Sequence, residues 1–399
     1  MPRLRYEGSG MTTHKVPCLV VGGGIGGLTA ALALARRGRD VHVLEKADAF
    51  TEIGAGLQLA PNATRVLTEL GVMDALMAHA VAPARLLWMD ALAEKPITAV
   101  DLGAPFRRHF GYPYLVMHRG DLLTALLDAC RASGRVTLEA SREVVAVEDR
   151  GTTALARCAN GDSFETEILI GADGLWSGIR KLLHPDEPSR VPYVAYRGTM
   201  PMKDASAHAG ADTVVMWVGP NMHFVQYSIR AGEEFNQVAV FKSPTYSTND
   251  NDWGTPEQLD AHFAQCCSYV RESVKLMWRH IRWPMYDREP ISDWVKGRIA
   301  LLGDAAHPMF QYIAQGACQA IEDGFCLARE VTATPDPAQG LEAYRQARYL
   351  RTARVQLTAR AMGAFFHLDG VNAQLRNAMM ASRQATDYAP LDWLYGHKA

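Results

Sequence analysis

Apolar runs and amphipathic stretches alternate along the first half of the chain. Residues 16–21 are uniformly apolar and predict a buried strand, and an Ala- and Leu-rich stretch to about Arg37 predicts a helix that ends at Gly38. A second strand is predicted over residues 40–44. This strand, helix, strand order is typical of a parallel α/β domain, and the same pattern continues to about Leu183.

The pattern changes in the middle of the chain. Apolar and polar residues alternate there, with many aromatic and β-branched side chains, at residues 213–218, 223–229 and 237–241. Such alternation predicts antiparallel strands. A further apolar run at residues 298–302 predicts a return to the first domain. We therefore expect an α/β fold with an inserted antiparallel sheet and with helices from Gly316 onward.

Composition and charge narrow the classes of protein. The 399 residues are 48% hydrophobic and 21% charged, with a net charge of −2. This composition supplies a large core and excludes a disordered chain, and it leaves no basic field to recruit nucleic acid. The seven cysteines are odd in number and include no C-x-x-C pair, so we expect reduced thiols in a cytoplasmic protein and no metal site.

Two stretches near the amino terminus could be mistaken for targeting signals. Residues 16–35 carry no charge and are long enough to cross a bilayer, but five glycines lie between Gly22 and Gly27, so we predict no membrane insertion. Residues 1–10 are polar and precede a second methionine, Met11. They are interpreted as a leader, and our hypothesis is that they derive from a vector.

The strongest local motif is a glycine pattern directly after the first predicted strand. Gly22, Gly24 and Gly27 form G-x-G-x-x-G, and Glu45 ends the following strand. Glycines allow a tight turn and close approach of the backbone to a pyrophosphate, and an acid at the second strand end can bind a ribose hydroxyl. The pattern predicts a dinucleotide site; the alternative is a glycine-rich structural turn.

Two further motifs extend this interpretation. The sequence GADG stands at residues 171–174 and GDAAHP at residues 303–308, each after a predicted strand. Together with the first glycine motif they resemble the three fingerprints of the single-component flavoprotein aromatic hydroxylases. The resemblance implies a Rossmann-like FAD-binding domain over residues 11–191 and 286–340, an antiparallel-sheet substrate domain over residues 192–285 and a C-terminal helical region over residues 341–399.

The resemblance also implies roles for individual residues. Asp304 would bind the ribityl chain of FAD, Pro308 would lie near the isoalloxazine ring, and Arg119 would contact the cofactor. Asp173 is associated with the flavin pyrophosphate and with reduced nicotinamide, and amides near Gly316 could stabilise reduced flavin. The alternatives are a helix cap for Asp304 and a surface ion pair for Arg119. Since no second dinucleotide motif is present, NADH or NADPH is expected to bind transiently.

The predicted antiparallel sheet resembles that of one subgroup, the 3-hydroxybenzoate 6-hydroxylases. The resembling segments are residues 194–199, 223–227, 236–241 and 283–290. A period-two strand puts His223, Val225 and Tyr227 on one face, where a phenol would meet an imidazole and a phenolic hydroxyl. Gln311 matches a pocket position of that subgroup. The alternative is that His223 and Tyr227 are ordinary sheet residues.

The implied reaction is hydroxylation of 3-hydroxybenzoate para to its hydroxyl group, which gives 2,5-dihydroxybenzoate with NAD(P)H and O₂. A ring is more nucleophilic as phenolate, so His223 is the candidate base, Gln311 would orient the hydroxyl and Tyr227 would hydrogen-bond the substrate. Arg197 and Arg230 are both candidates for the carboxylate. Salicylate 1-hydroxylation to catechol and a non-oxygenating flavin dehydrogenase or redox sensor are the competing hypotheses.

One feature of the predicted C-terminal helix belongs to no motif. Arginines recur every third residue, at positions 345, 348, 351 and 354. We expect this stripe to form a solvated face or a homodimer contact.

Overall fold

A computed structural model describes residues 12–51, 54–205, 210–248 and 252–399. The predicted leader lies outside the described residues. The strands are β1 (Thr13–Val21), β2 (Val41–Leu44), β3 (Gly56–Leu59), β4 (Arg85–Asp90), β5 (Lys95–Asp101), β6 (Leu115–His118), β7 (Val136–Glu139), β8 (Val144–Asp149), β9 (Ala154–Cys158), β10 (Ser163–Gly171), β11 (Ser189–Pro201), β12 (Thr213–Gly219), β13 (Met222–Ile229), β14 (Glu234–Lys242), β15 (Trp283–Asp287), β16 (Val295–Lys296) and β17 (Ile299–Leu301).

The helices cover the sheets and form the C-terminal part. They are α1 (Ile25–Arg36), α2 (Pro61–Glu69), α3 (Met73–Met77), α4 (Ala104–Phe110), α5 (Arg119–Ala132), α6 (Gly178–Leu183), α7 (Pro256–Phe263), α8 (Ser268–Lys275), α9 (Gly316–Ala333), α10 (Pro337–Phe366), α11 (Gly370–Ala381) and α12 (Asp392–Tyr395).

The first sheet is built around β1. Its main path runs β16-β17-β10-β1-β2-β7, with β9 and β8 branching from β10. The pairs of β1 with β2 and β10, and of β10 with β17, are parallel. Residues 18–20 of β1 and 168–170 of β10 are fully buried and uniformly apolar, as expected for parallel strands that are covered on both faces. The predicted α/β fold is confirmed here, and α1 follows β1 as the glycine pattern indicates.

The second sheet has the order β15-β11-β14-β13-β12-β4-β5. Its strands pair antiparallel, except that β12 pairs parallel with β4. The strands β4 and β5 come from residues 85–101, which the sequence assigned to the FAD-binding part. The pattern could not indicate this position, because β4 carries four consecutive apolar residues and its place depends on pairing with the distant β12.

The predicted C-terminal helices are present, and the longest of them connects the two sheets. Helix α10 extends over 30 residues, packs along α9 beside the first sheet, and ends where Phe366 joins a core cluster with Trp88 and Met216 of the second sheet. All seven cysteines are free, and all but Cys267 are buried, as the sequence predicted. In the described part of the chain no helix is long and apolar enough to cross a membrane.

Candidate active site

A cavity of about 980 Å³ lies between the two sheets. One wall is formed by turns that follow strands of the first sheet and by the first residues of the helices after them. We call it the cofactor wall. The opposite wall is one face of the second sheet, and we call it the substrate wall. Most residues that the motifs singled out line this cavity: Gly22, Gly24, Glu45, Arg119, Asp173, His223, Tyr227, Asp304, Gln311 and Gly316.

The first glycine turn forms one end of the cofactor wall. Gly22 has a φ of +110°, and a Cβ there would lie 2.3 Å from the carbonyl oxygen of Ala172, so only glycine fits. The amide of Gly23 donates to the Glu45 carboxylate at 2.7 Å, which ties the turn to the end of β2. No side chain in the described residues caps the start of α1, and its first residues, 24–26, line the cavity, so this helix start can bind an anion there.

Two predicted cofactor residues do not line the cavity. A Cβ on Gly27 would lie 2.0 Å from the carbonyl oxygen of Gly22, so this glycine allows α1 to pack closely against the turn. The carbonyl of Pro308 accepts a hydrogen bond from Gln356 of α10 at 2.8 Å. Both residues therefore support the cofactor wall without lining the cavity.

Arg119 and Asp304 face the cavity from two different elements, the start of α5 and the turn after β17. Burial lowers the pKa of Arg119, and the negative charge of Asp304 acts against that shift. Asp173 accepts hydrogen bonds from the Ser177 hydroxyl at 2.5 Å and from the Ile179 amide at 3.2 Å. It therefore holds the start of α6 while it lines the cavity.

A buried ionic network supports the Gly303–Asp304 turn. Asp323 of α9 accepts hydrogen bonds from the Gly303 amide at 3.0 Å, from His307 at 2.5 Å and from Arg348 at 2.7 Å. Although burial alone would raise the pKa of Asp323, His307 and Arg348 lower it to about 2. His307 therefore supports the turn through Asp323.

The same network corrects the expectation for the arginine stripe. Arg348 is buried between Asp323 and Glu322, and Arg351 donates to Glu322 at 2.9 Å and to the carbonyl oxygen of Trp393 at 2.6 Å. These arginines therefore join α9, α10 and the C-terminal segment. The expectation of a solvated face or dimer contact was wrong for these two positions, because their acidic partners lie on another helix that spacing along α10 cannot show.

A row of side chains crosses the substrate wall at one level. Register pairs Arg197 with Val238, Val238 with Val225, Val225 with Met216 and Met216 with Trp88, and all five line the cavity. Directly opposed residues share a face of the sheet, so the row is apolar with an arginine at one end. The predicted face is confirmed, since Phe224 packs in the core behind the sheet.

His223 lies on this wall beyond Val225 and contacts a second histidine. Its Nδ1 lies 2.9 Å from Nε2 of His367, the residue that ends α10, and the two rings stack at 5.2 Å. Burial lowers the pKa of His223 to about 3 and that of His367 to about 2. Both rings are therefore neutral near pH 7, and Nε2 of His223 is left to face the cavity.

Tyr227 lies on the other side of Val225. Four residues of a strand span about 13 Å, so His223 and Tyr227 line different parts of the cavity along β13. Tyr227 instead packs against β3, where a Cβ on Gly56 would lie 2.8 Å from its hydroxyl oxygen. Burial raises the pKa of Tyr227, which keeps its hydroxyl protonated.

Arg197 and Gln311 meet at the edge of the cavity. The Arg197 guanidinium donates to Oε1 of Gln311. Because the guanidinium has only donors, the Gln311 amide must present its oxygen to Arg197 and its Nε2 elsewhere. That Nε2 is buried and has no hydrogen-bond partner among the described residues.

Comparisons with known proteins agree with this architecture. The FAD binding domain family matches residues 15–359. A 3-hydroxybenzoate 6-hydroxylase of Aquipseudomonas alcaligenes is 40% identical over 386 residues, 95% of this chain and 97% of that protein. A 3-amino-4-hydroxybenzoate 2-monooxygenase of Streptomyces platensis is 36% identical over 98% of each chain. The solved structure of Klebsiella pneumoniae HpxO with FAD and uric acid is 26% identical, with a TM-score of 0.83 over 96% of both chains. The chain belongs to the FAD-dependent aromatic hydroxylases.

The cofactor wall of this hydroxylase fits FAD. The Gly22 turn lines the cavity while it packs against the backbone of Ala172, and α1 begins beside it without a side-chain cap. At the other end, Nε2 of Gln315 is buried without a hydrogen-bond partner in the described residues and lies at the start of α9. Arg119 and Asp304 lie on the same cavity. The prediction of FAD as the cofactor is confirmed by the family match.

The sequence missed several residues of the hydroxylase site. His367 belongs to no motif and reaches His223 only because α10 ends at the second sheet. Trp88 and Met216 of the apolar row depend on the pairing of β4 with β12. The sequence left Arg197 and Arg230 as equal candidates, and only Arg197 lines the cavity.

Proposed function

We propose that this hydroxylase converts 3-hydroxybenzoate to 2,5-dihydroxybenzoate, with NADH or NADPH and O₂ as cosubstrates. The observation that carries the proposal is the set of polar groups, His223, Gln311 and Arg197, around an apolar row on the wall that faces the FAD-binding turns. This arrangement suits a flat ring with one hydroxyl group, which is the chemistry in the names of the most similar relatives. The cytoplasmic location and a homodimer stay predictions of the sequence.

Bound FAD would be held by the Gly22 turn, Glu45, Arg119, Asp173 and Asp304, and would supply electron transfer from the nicotinamide and activation of oxygen. The protein's own part is to hold the ring and to handle its hydroxyl proton. In the tautomer in which Nδ1 of His223 donates to Nε2 of His367, Nε2 of His223 carries the lone pair that would accept the phenol proton. The phenolate formed beside it would raise the pKa of His223, which burial lowers. The free Nε2 of Gln311 would donate to the phenolate oxygen and orient it. The apolar row would exclude water from the ring.

The test is aerobic incubation of the FAD-loaded protein with NADH and 3-hydroxybenzoate, with the product identified by chromatography and mass. We expect 2,5-dihydroxybenzoate in amounts that match the NADH consumed. Catechol from salicylate, with no product from 3-hydroxybenzoate, would favour the salicylate alternative. NADH consumption with no hydroxylated product from any phenolic acid would favour a non-oxygenating enzyme.

His223→Gln separates the proposed role from simple packing. Loss of a positioned acid or base typically costs on the order of 100-fold or more in rate, so we expect hydroxylation to slow by that factor while the flavin content is unchanged. His262→Gln is the matched control, because His262 bonds the carbonyl oxygen of Pro220 at 3.1 Å and does not line the cavity. Turnover of His223→Gln at the rate of this control would contradict the assignment.

A further inference from the structure

The charge of Arg197 has no acidic partner in the described residues. Its side-chain contact is the neutral amide of Gln311, and its Nε is buried without a hydrogen-bond partner there. The groups that act on its charge are the hydroxyl of Tyr227 and the cation of Arg119. Burial and Arg119 both lower the pKa of Arg197, which is the response of a cation that lacks an anion.

Two other arginines near the cavity have acidic partners. Arg142 contacts Glu139 at 2.7 Å and Asp162 at 2.6 Å. Arg230, the second candidate from the sequence, contacts Glu234 at 2.7 Å and Asp121 at 3.5 Å and lies outside the cavity lining. Arg142 lines the cavity but its charge is compensated, and Arg230 is compensated and lies outside the lining. Arg197 differs from both, since it lines the cavity and no acidic partner among the described residues compensates its charge.

A buried cation without a counterion is costly, and an anion that enters the cavity relieves that cost. The helix start and glycine turn that fit a pyrophosphate lie on the cofactor wall, whereas Arg197 stands at the end of the apolar row on the substrate wall. An aromatic ring along Val238 and Val225 would bring a ring substituent to Arg197. We propose that Arg197 is the site for the carboxylate of the substrate, an inference that rests on the proposed function.

The contact between Arg197 and Gln311 also fixes the orientation of the Gln311 amide. Because Arg197 holds Oε1 of Gln311, it also directs Nε2 of that amide toward the substrate hydroxyl. A guanidinium can bind a carboxylate through two parallel hydrogen bonds, which a lysine cannot reproduce. Arg197 thus couples recognition of the acid group to the orientation of the hydroxyl group.

The test compares an acid with its neutral amide on the oxidised, FAD-loaded protein. Binding of 3-hydroxybenzoate and of 3-hydroxybenzamide is followed by the change in visible flavin absorption. Charge-assisted hydrogen bonds predict that the natural protein prefers the acid by at least about ten-fold, and that Arg197→Gln brings this ratio close to one. Arg197→Lys keeps the charge and is expected to retain an intermediate ratio. Arg230→Gln is the matched control and should keep the natural ratio.

Several outcomes would overturn the proposal. They are a natural protein that binds acid and amide equally, an Arg197→Gln variant that keeps the preference, and a variant that loses both ligands by the same factor. If Arg197→Gln fails to retain FAD, Arg197→Lys decides, and an unchanged ratio in that variant contradicts bidentate binding. Failure of the proposed function is separable, because absence of 2,5-dihydroxybenzoate leaves the binding ratio measurable and the same ratio can be taken with salicylate and salicylamide.

Discussion

The two walls of the cavity recognise their ligands by different means. The cofactor wall combines backbone groups, at the Gly22 turn and at the uncapped start of α1, with charged side chains such as Glu45 and Asp304 that stand close after strands. The substrate wall offers side chains, Arg197 and His223 from different strands and Gln311 from a turn. A backbone site needs a short contiguous motif, because its geometry is encoded in a few glycines, whereas a side-chain site needs correct pairing of distant segments.

The two walls also differ in the contacts that stabilise them. The cofactor wall is held from behind by the fully buried Glu322, Asp323 and Arg348, so its turns depend on charges that never reach the ligand. The substrate wall is instead supported by contacts between neutral groups, the pair of His223 and His367 and the hydrogen bonds that Gln226 makes with Trp217 and Gln237 on the opposite face of the sheet. Different substitutions and different pH ranges are therefore expected to destabilise the two walls.

The largest effect is expected from Arg348→Met, which removes the cation between Glu322 and Asp323. Breaking a buried ion pair leaves uncompensated buried charge and costs about 3–5 kcal/mol, so we expect urea unfolding at pH 7 to show a loss of that size together with weaker FAD retention. Arg345→Met is the matched control on the same helix, since its partner Glu342 is exposed. Exposed pairs contribute about 0–1 kcal/mol, and a similar loss in both variants would contradict the special role of the buried pair.

The sequence predicted the cofactor wall more completely than the substrate wall. Gly22, Glu45 and Asp304 follow strands directly, so local order along the chain was enough to bring them to one edge of the sheet. The alternation around His223 correctly predicted which face of β13 lines the cavity. It could not give His367, because 144 residues separate the two rings and only tertiary packing joins them.

A smaller effect is expected from Gly22→Ala on the cofactor wall. A non-glycine residue at positive φ costs about 1–2 kcal/mol, and overlap of a Cβ with the backbone of Ala172 adds about 1–3 kcal/mol. We therefore expect a loss of FAD, measured as the ratio of flavin to protein absorbance after gel filtration. Gly151→Ala is the control for strain alone, because Gly151 has a φ of +82° and nothing within 4 Å of an added Cβ. Equal loss of FAD in both variants would show that local strain, and not the close approach, governs binding.

A loss of stability in mild acid is expected to separate the two walls by pH. Burial lowers the pKa of His223 to about 3 and of His367 to about 2, whereas both titrate near about 6.5 in the unfolded chain. Between these values the unfolded state binds more protons, so the stability present above about pH 6.5 falls by up to about 1.4 kcal/mol per pH unit for each ring.

Urea unfolding at pH 7, 6 and 5 should show this slope, and the double variant His223→Gln, His367→Gln should be flatter. Phe366→Leu, whose ring lies 6.0 Å from His223, is the packing control and should lower stability without changing the slope. On the cofactor wall, the pKa values of Glu322 and Asp323 are lowered to about 2, so their contribution is present above about pH 4 and is lost only below it. A double variant with the natural slope between pH 7 and 5 would contradict a neutral, buried histidine pair, because that variant lacks the two imidazoles whose protonation is expected to cause the slope.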